Sequence, residues 1–321
     1  MRPSIAKRIS GVLTAAGALL LTFGVAPADA QLNTQHIKGL VGLKAGSMPP
    51  PHWYVIAPLV YLYNTDTVKR DDGTKLPLTV SINSTAVAGG VSYVSSRKIL
   101  GGFYNFQLLF PAGINNRLQG TEIDQSTGFG ITDSAVVPFG LGWHFKRADA
   151  IANYAIFLPT GRYEDGASDN TGFGMWGHEI AFGTTVYLNE AKQYHAASVI
   201  SFDFQTKKED SETKVGNAMN LEGGFGGDFM KGGITAGLAY YASFKLTDDE
   251  IEGLPGILIR GKNKVFALGP EVTIALASKT KVYGFLKLNY EWEVYARTTT
   301  QGSEFSIMLT LPIGPFPIPT K

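Results

Sequence analysis

Apolar residues recur at every second position through most of the chain, and this alternation constrains the fold more than any other feature of the sequence. In KVYGFLKLNYEWEV, residues 281–294, Val282, Leu286, Leu288, Tyr290, Trp292 and Val294 take the even positions, while Lys281, Lys287, Asn289, Glu291 and Glu293 take odd ones. A strand sends alternate side chains to opposite faces, so one face of this stretch is apolar and the other carries its charges. The same period sets Tyr104, Phe106, Leu108 and Phe110 against Asn105 and Gln107, and Phe305, Ile307, Leu309 and Leu311 against Glu304, Ser306 and Thr310. It also sets Ala135, Val137, Phe139, Leu141, Trp143 and Phe145 against Ser134, Gly140, Gly142 and His144, and Phe266, Leu268, Val272, Ile274 and Leu276 against Glu271 and Thr273. Bounded by turn residues, twelve strands are predicted, at 52–64, 77–95, 98–112, 130–146, 148–160, 176–189, 194–206, 217–230, 233–246, 264–277, 280–296 and 301–313.

The links between these runs alternate in length. Long ones fall at 65–76, 113–129, 161–175, 207–216 and 247–263, with a shorter one at 297–300; tight turns fall at 95–98, around Lys146-Arg147-Ala148, at 189–193, at 230–233 and at Ser278-Lys279-Thr280. Long loops at one end and brief turns at the other are the mark of an antiparallel up-and-down barrel of the outer-membrane kind, whose short turns are periplasmic.

Residues 1–30 carry the pattern of a secretory signal peptide: Arg2, Lys7 and Arg8, then the apolar stretch Gly11–Val25, then Ala28-Asp29-Ala30 as a cleavage site. The expected organisation is therefore a signal peptide at 1–30, an N-terminal segment at 31–51, a transmembrane barrel at 52–313 and a periplasmic tail at 314–321. After the signal, no uncharged apolar run reaches the ~18 to 20 residues of a helical span.

A soluble barrel would alternate too, so composition has to decide. Charged residues make up 17% of the chain, below the ~25% usual for a soluble domain. The polar faces hold mainly glycine, serine, threonine and asparagine, too few lysines and glutamates for a water-covered surface. Trp53, Trp143, Trp176 and Trp292 lie toward run ends, where the aromatic girdles at the membrane interfaces are expected. A lysine facing lipid at the bilayer midplane costs roughly 2 to 4 kcal/mol, which assigns the charged faces to the lumen. By parity the expected lumen-lining residues are Asn105, Gln107, His144, Asp203, Asn220, Glu222, Asp228, Glu271, Lys281, Lys287, Asn289, Glu291, Glu293 and Glu304.

Several short motifs resemble a known family. These are Ala45-Gly46-Ser47-Met48-Pro49-Pro50-Pro51 before the first strand, Gly128-Phe129-Gly130-Ile131-Thr132-Asp133 leading to Pro138-Phe139-Gly140-Leu141-Gly142-Trp143, and Leu158-Pro159-Thr160-Gly161-Arg162-Tyr163 followed by Asn170-Thr171-Gly172 and Trp176. Together they resemble the outer-membrane family named for the meta-pathway of phenol degradation. The resemblance implies an outer-membrane β-barrel with a role in uptake of hydrophobic or aromatic compounds, and it brings no catalytic constellation with it.

The residues themselves give little sign of chemistry. The chain has no cysteine, and its net charge of +1 supplies no attraction for nucleic acid. Ser134 and His144 are a nominal nucleophile and base without a strained nucleophile turn, and Asp165, Asp169 and Asn170 lack the pattern of a calcium loop. The expectation is a non-enzymatic barrel without cofactor or metal, in outer-membrane lipid, acting as a passive conduit for small hydrophobic or aromatic solutes. The alternatives are an adhesive or structural protein working through its loops and, behind that, a barrel hydrolase. Barrels of about eight strands are filled by their own side chains and those of sixteen or more hold an aqueous channel, so twelve leave a narrow lumen. The segment 31–51, with Leu40–Leu43 and Pro49-Pro50-Pro51, is expected to enter it as a plug.

Overall fold

A computed structural model describes residues 33–121, 124–165, 167–251, 262–314 and 316–317. The expected signal peptide lies outside the described residues, as do positions 252–261 of the link at 247–263 and most of the tail. The strands are β1 His52–Thr65, β2 Val80–Ile99, β3 Gly102–Gly120, β4 Asp124–Ser126, β5 Ser134–His144, β6 Ala148–Leu158, β7 Gly177–Tyr187, β8 Tyr194–Gln205, β9 Ala218–Phe229, β10 Ile234–Lys245, β11 Lys264–Ala277, β12 Lys281–Arg297, β13 Ser303–Pro312 and β14 Phe316–Pro317. Each long strand pairs antiparallel with its neighbour, β13 returns to β1, and the β11–β12 ladder completes the ring. With β4 and β14 as short additions on β3 and β12, the result is a closed barrel of twelve strands. Closure removes the sheet edges that would otherwise leave backbone groups unpaired in lipid.

The turns at Leu100-Gly101, 145–147, 188–193, 230–233 and 278–280 lie at one end of the barrel, with the start of β1 and the end of β13. The long loops lie at the other. Two expectations are corrected here. The link at 113–129 is strand up to Gly120, because Ile114–Gly120 pairs with Val80–Ala86; its sequence INNRLQG hides a ladder behind polar residues. The turn expected at 95–98 moves to Leu100-Gly101, whose φ angles of 51° and 78° suit the tight hairpin turn that follows the twist of its strands.

Prolines mark where the alternation breaks. Pro58, Pro111 and Pro138 each sit at a register shift, in the β1 ladders, in β3 against β2 and in β5 against β6. Proline cannot donate to a ladder, so it is accommodated at a bulge. The bulge in β5 has a consequence for facing. Gly140 pairs with Asn105 and Val137 pairs with Gln107, so Ala135 and Val137 leave the face of Phe139 and Leu141 that simple parity gave them.

Outward positions are large and apolar, including Phe182 and Phe225, both more than half exposed. Within the ring stands the N-terminal segment. Side chains of β6, β7, β9, β11 and β12 all reach residues 36–47, a set of contacts only a segment inside the barrel can make. Its apolar packing is modest: Ala45 and Val41 meet Ala181, Ala197 and Val199, and Met48 meets Tyr54, Val94 and Phe103.

Candidate functional site: the lumen and the segment within it

The segment runs along the barrel axis. At the loop end Gln35 donates its side-chain amide to Asp133 Oδ2 at 2.8 Å and to the Met175 carbonyl at 3.0 Å. At the turn end Ser47 donates its hydroxyl to Asp149 Oδ2 at 2.7 Å. Between these points the segment has no strand partner, so its backbone groups need acceptors and donors from the wall. Glu222 accepts the N–H of Gly39 at 3.2 Å and of Val41 at 3.0 Å, and Glu271 accepts that of Leu43 at 3.3 Å. Asn289 donates to the Gly39 carbonyl and Lys287 to the Leu40 carbonyl, each at 2.9 Å. Lys44 reaches Asp228 at 2.7 Å, and Thr185 Oγ1 accepts the Gly46 N–H at 3.1 Å. Charged residues in strands thus serve as the hydrogen-bonding complement of a chain that crosses the lumen without secondary structure.

His36 is held through both of its ring nitrogens. Its Nδ1 stands 2.6 Å from Glu179 Oε2 and its Nε2 2.8 Å from Glu222 Oε1. Both contacts are hydrogen bonds when the ring donates from both nitrogens, as the imidazolium does.

Close approach is made possible by glycine. A Cβ on Gly39 would stand 1.5 Å from Glu304 Oε1, and one on Gly42 would stand 1.5 Å from Glu271 Oε2. Gly39 also has φ +71°, a conformation glycine adopts without strain.

A second set of polar contacts lies mainly within the wall. Tyr61 donates to Glu304 and Tyr63 to Glu293, each at 2.8 Å, and Tyr241 donates to Glu293 at 2.9 Å. Glu291 accepts from Asn289 at 2.8 Å and is buried beside Glu304. Asp203 and Asn220 are buried and bonded to each other at 2.9 Å, and Asp203 also accepts from Thr34 at 3.0 Å. Asn105 is buried facing Gly140, with Asn153 on the far side, and Gln107 is half-buried in register with Ser92 and Val137.

Two of the parity-derived residues lie apart from this assembly. His144 is exposed at the turn end, 2.9 Å from Asp149. Lys281 is exposed because β12 bulges at Tyr283: Leu276 pairs with Gly284 but Ala277 with Val282, so Val282 is buried and Tyr283 is exposed. Trp53, Trp176 and Trp292 are about half exposed, the first near the turn end and the other two toward the loop end. Trp143 is half-buried and donates to the Leu100 carbonyl at 3.1 Å. Glu179, Asp149, His36 and the three tyrosines have no lumen-lining role in the sequence pattern, which places Tyr63 and Tyr241 with the interface aromatics, whereas both turn inward onto Glu293. For Glu179 the signal was present, since it shares a face with Ala181 and Thr185 opposite the exposed Ile180 and Phe182.

The nominal catalytic pair does not assemble. Ser134 begins β5 and His144 ends it, which at about 3.3 Å per residue separates them by roughly 30 Å. Asn170 is bonded to both backbone groups of Glu164, and Asp169 pairs with Arg162, so these groups hold their own loop together. Beside the segment a cavity of about 90 Å³ remains, lined among others by His36, Ile151, Asn153, Glu179, Asn220 and Glu222.

Residues 65–309 match the family described as "Putative MetA-pathway of phenol degradation". The chain belongs to this family. The fold is similar to that of a crystallised outer membrane channel from Pseudomonas putida F1, with a TM-score of 0.67 and 13% identity over 84% of this chain and 97% of that one. The β domain of the Bordetella autotransporter BrkA is less similar, at a TM-score of 0.46 and 9% identity over 82% of this chain and 100% of that one. No curated protein sequence matches. At these identities the likeness is one of fold, and with the family it makes the chain a bacterial outer-membrane β-barrel.

The stretches around Ile131–Asp133, Gly161 and Thr171–Phe173 are neighbours in space. The Asp133 carboxylate accepts the N–H groups of Gly161 and Phe173, each at 3.0 Å, besides the amide of Gln35. Thr171 donates to the Ile131 carbonyl at 2.6 Å, and a Cβ on Gly161 would stand 2.6 Å from Gly172 Cα. These stretches build the loop cluster that meets the segment, through Gln35, at the loop end of the barrel.

Proposed function

We propose that the protein is a passive, non-enzymatic conduit of the outer membrane for small hydrophobic or aromatic compounds, and that the segment spanning residues 33–48 acts as its plug. The observation that carries this reading is the way the segment is held: by hydrogen bonds to side chains of the wall, with small apolar contacts, rather than by a strand ladder. Hydrogen bonds exchangeable with water contribute about 0.5 to 1.5 kcal/mol net each, or about 1.5 to 3 kcal/mol where one partner is charged, less than a strand ladder holds, so such a segment is separable from a barrel whose own ladders stay intact. The solute class is supported by the family's description, which links it to phenol degradation, and by the fold shared with a crystallised outer membrane channel. A lumen with charged groups but a plug that is glycine-rich and apolar between Gly39 and Leu43 suits small, weakly polar solutes better than sugars or ions.

Planar-bilayer recordings of the protein with and without residues 33–48 test the reading, together with liposome uptake of phenol or toluene. Deletion is expected to raise single-channel conductance and aromatic uptake while heat-modifiable gel mobility is retained. Equal conductance and equal uptake in the two proteins would overturn it.

A further inference from the structure

His36, Glu179 and Asp203 bring three ligand atoms, an imidazole nitrogen and two carboxylate oxygens, within 4.8 Å of one another. Glu179 on β7 and Asp203 on β8 are direct partners in the ladder, and His36 comes to them from the segment. Asp203 is 1% exposed, and while its Oδ2 accepts from Thr34 and Asn220, its Oδ1 has no hydrogen-bond partner among the described residues. A buried, unpartnered carboxylate oxygen beside a second carboxylate is an arrangement that calls for a cation or a proton. Glu179, Asp203 and Glu222 outnumber the one imidazolium among them, and Lys245 is held by Asp249 at 2.6 Å. We propose that His36, Glu179 and Asp203 form a binding site for a divalent transition-metal cation of the zinc class, fastening the N-terminal segment to β7 and β8.

The donor set is one that zinc accepts, with imidazole nitrogen and carboxylate oxygen bound at about 2.0 to 2.2 Å. The cation takes the place of the proton between His36 Nδ1 and Glu179 Oε2, and that proton passes to solvent. Two ligands of a tetrahedral zinc stand about 3.3 Å apart, so the present 2.6 Å contact widens by less than about 1 Å. His36 Nε2–H keeps its bond to Glu222, and a carboxylate on the far nitrogen orients a ligating imidazole and raises its basicity. The adjoining cavity of about 90 Å³ has room for water at a fourth position. The site is hidden in the sequence because only the path of the segment brings His36 to the ladder pair Glu179 and Asp203.

Calorimetric titration of the untagged, chelator-treated protein in detergent with Zn²⁺ tests the proposal, with Mg²⁺ as the comparison ion. One zinc ion per barrel is expected, with affinity weakened roughly 10- to 100-fold or more in His36→Gln and in Asp203→Asn, and no comparable binding of Mg²⁺. Heat-modifiable mobility reports whether each variant is folded, and His36→Gln, which lies outside every strand, keeps the test available if Asp203→Asn does not insert. Two results would overturn the proposal: no one-to-one uptake of zinc by the unaltered protein, or equal affinity in the folded variants, which would put the ion on a surface histidine such as His144.

Discussion

Gly46 lies so close to β7 that a Cβ on it would stand 2.1 Å from the carbonyl carbon of Thr184 and 2.3 Å from its Cα. Thr184 is paired with Ala150 on β6 and Ser198 on β8, so its backbone cannot withdraw without breaking two ladders. A side chain at residue 46 therefore displaces the segment and leaves the wall in place. Gly46→Val is expected to weaken docking of the segment by the ~1 to 3 kcal/mol typical of overpacking. The chain has no cysteine, so Val41→Cys provides a single reporter. Its reaction with a water-soluble maleimide should be faster in the Gly46→Val background, and an unchanged rate would contradict the displacement.

Glu222 and Glu293 are both buried carboxylates, yet substitutions at the two positions should behave differently. Glu222 serves the segment, accepting from Gly39, Val41 and His36, whereas Glu293 bonds Tyr63 and Tyr241 within the wall. Each donor left buried and unpaired by Glu222→Ala costs about 1 to 3 kcal/mol, a loss the segment recovers by leaving the wall. Conductance in planar bilayers should rise toward that of the protein lacking residues 33–48. Glu293→Gln, which keeps an acceptor for the tyrosines, should conduct as the unaltered protein does.

Much of the barrel is legible in the alternation because lipid and lumen impose opposite demands on neighbouring residues. On β12, Lys287, Asn289, Glu291 and Glu293 fall in one regular stretch, between bulges at Tyr283 and Val294, and there parity gives the facing directly. Lys281 lies beyond the first bulge and follows a different phase. Past the second, Val294 and Tyr295 are both exposed and Ala296 is buried. Prolines were the available sign of bulges at Pro58, Pro111 and Pro138, but no proline marks Tyr283 or Val294. What faces an inward residue is a different matter. His36 and Glu179 are 143 positions apart, and their contact depends on the route of a segment that has no periodicity to read.

Phe182 stands at the middle of β7 and is more than half exposed, flanked by Ala152 and Ile200 on the adjoining strands. Its position on the lipid face near the bilayer centre makes it a sensitive site for charge. Phe182→Lys should lower the unfolding free energy in liposomes by about 2 to 4 kcal/mol. Phe182→Leu, similar in polarity, should stay much closer to the unaltered protein in the same urea titration. Equal midpoints for the lysine and leucine variants would place this face away from lipid.

Asp133 couples the loops to the segment, since one carboxylate accepts from Gly161, Phe173 and Gln35. Asp133→Ala leaves two backbone donors and one amide without their acceptor, at about 1 to 3 kcal/mol for each that water does not reach. The closely packed Gly161 and Gly172 lose the tie that draws their loop inward, and Arg162, already half-exposed beside them, becomes a cleavage site. Trypsin should cut at Arg162 faster in Asp133→Ala than in the unaltered barrel, while Asp133→Asn, which keeps one acceptor oxygen, falls between. Because Gln35 is released in the same step, maleimide labelling of the Val41→Cys reporter should rise together with the cleavage. Faster cleavage without faster labelling would mean that Asp133 holds the loops alone, and that the segment is retained by Glu222, Glu271 and Asn289 without help from the loop end.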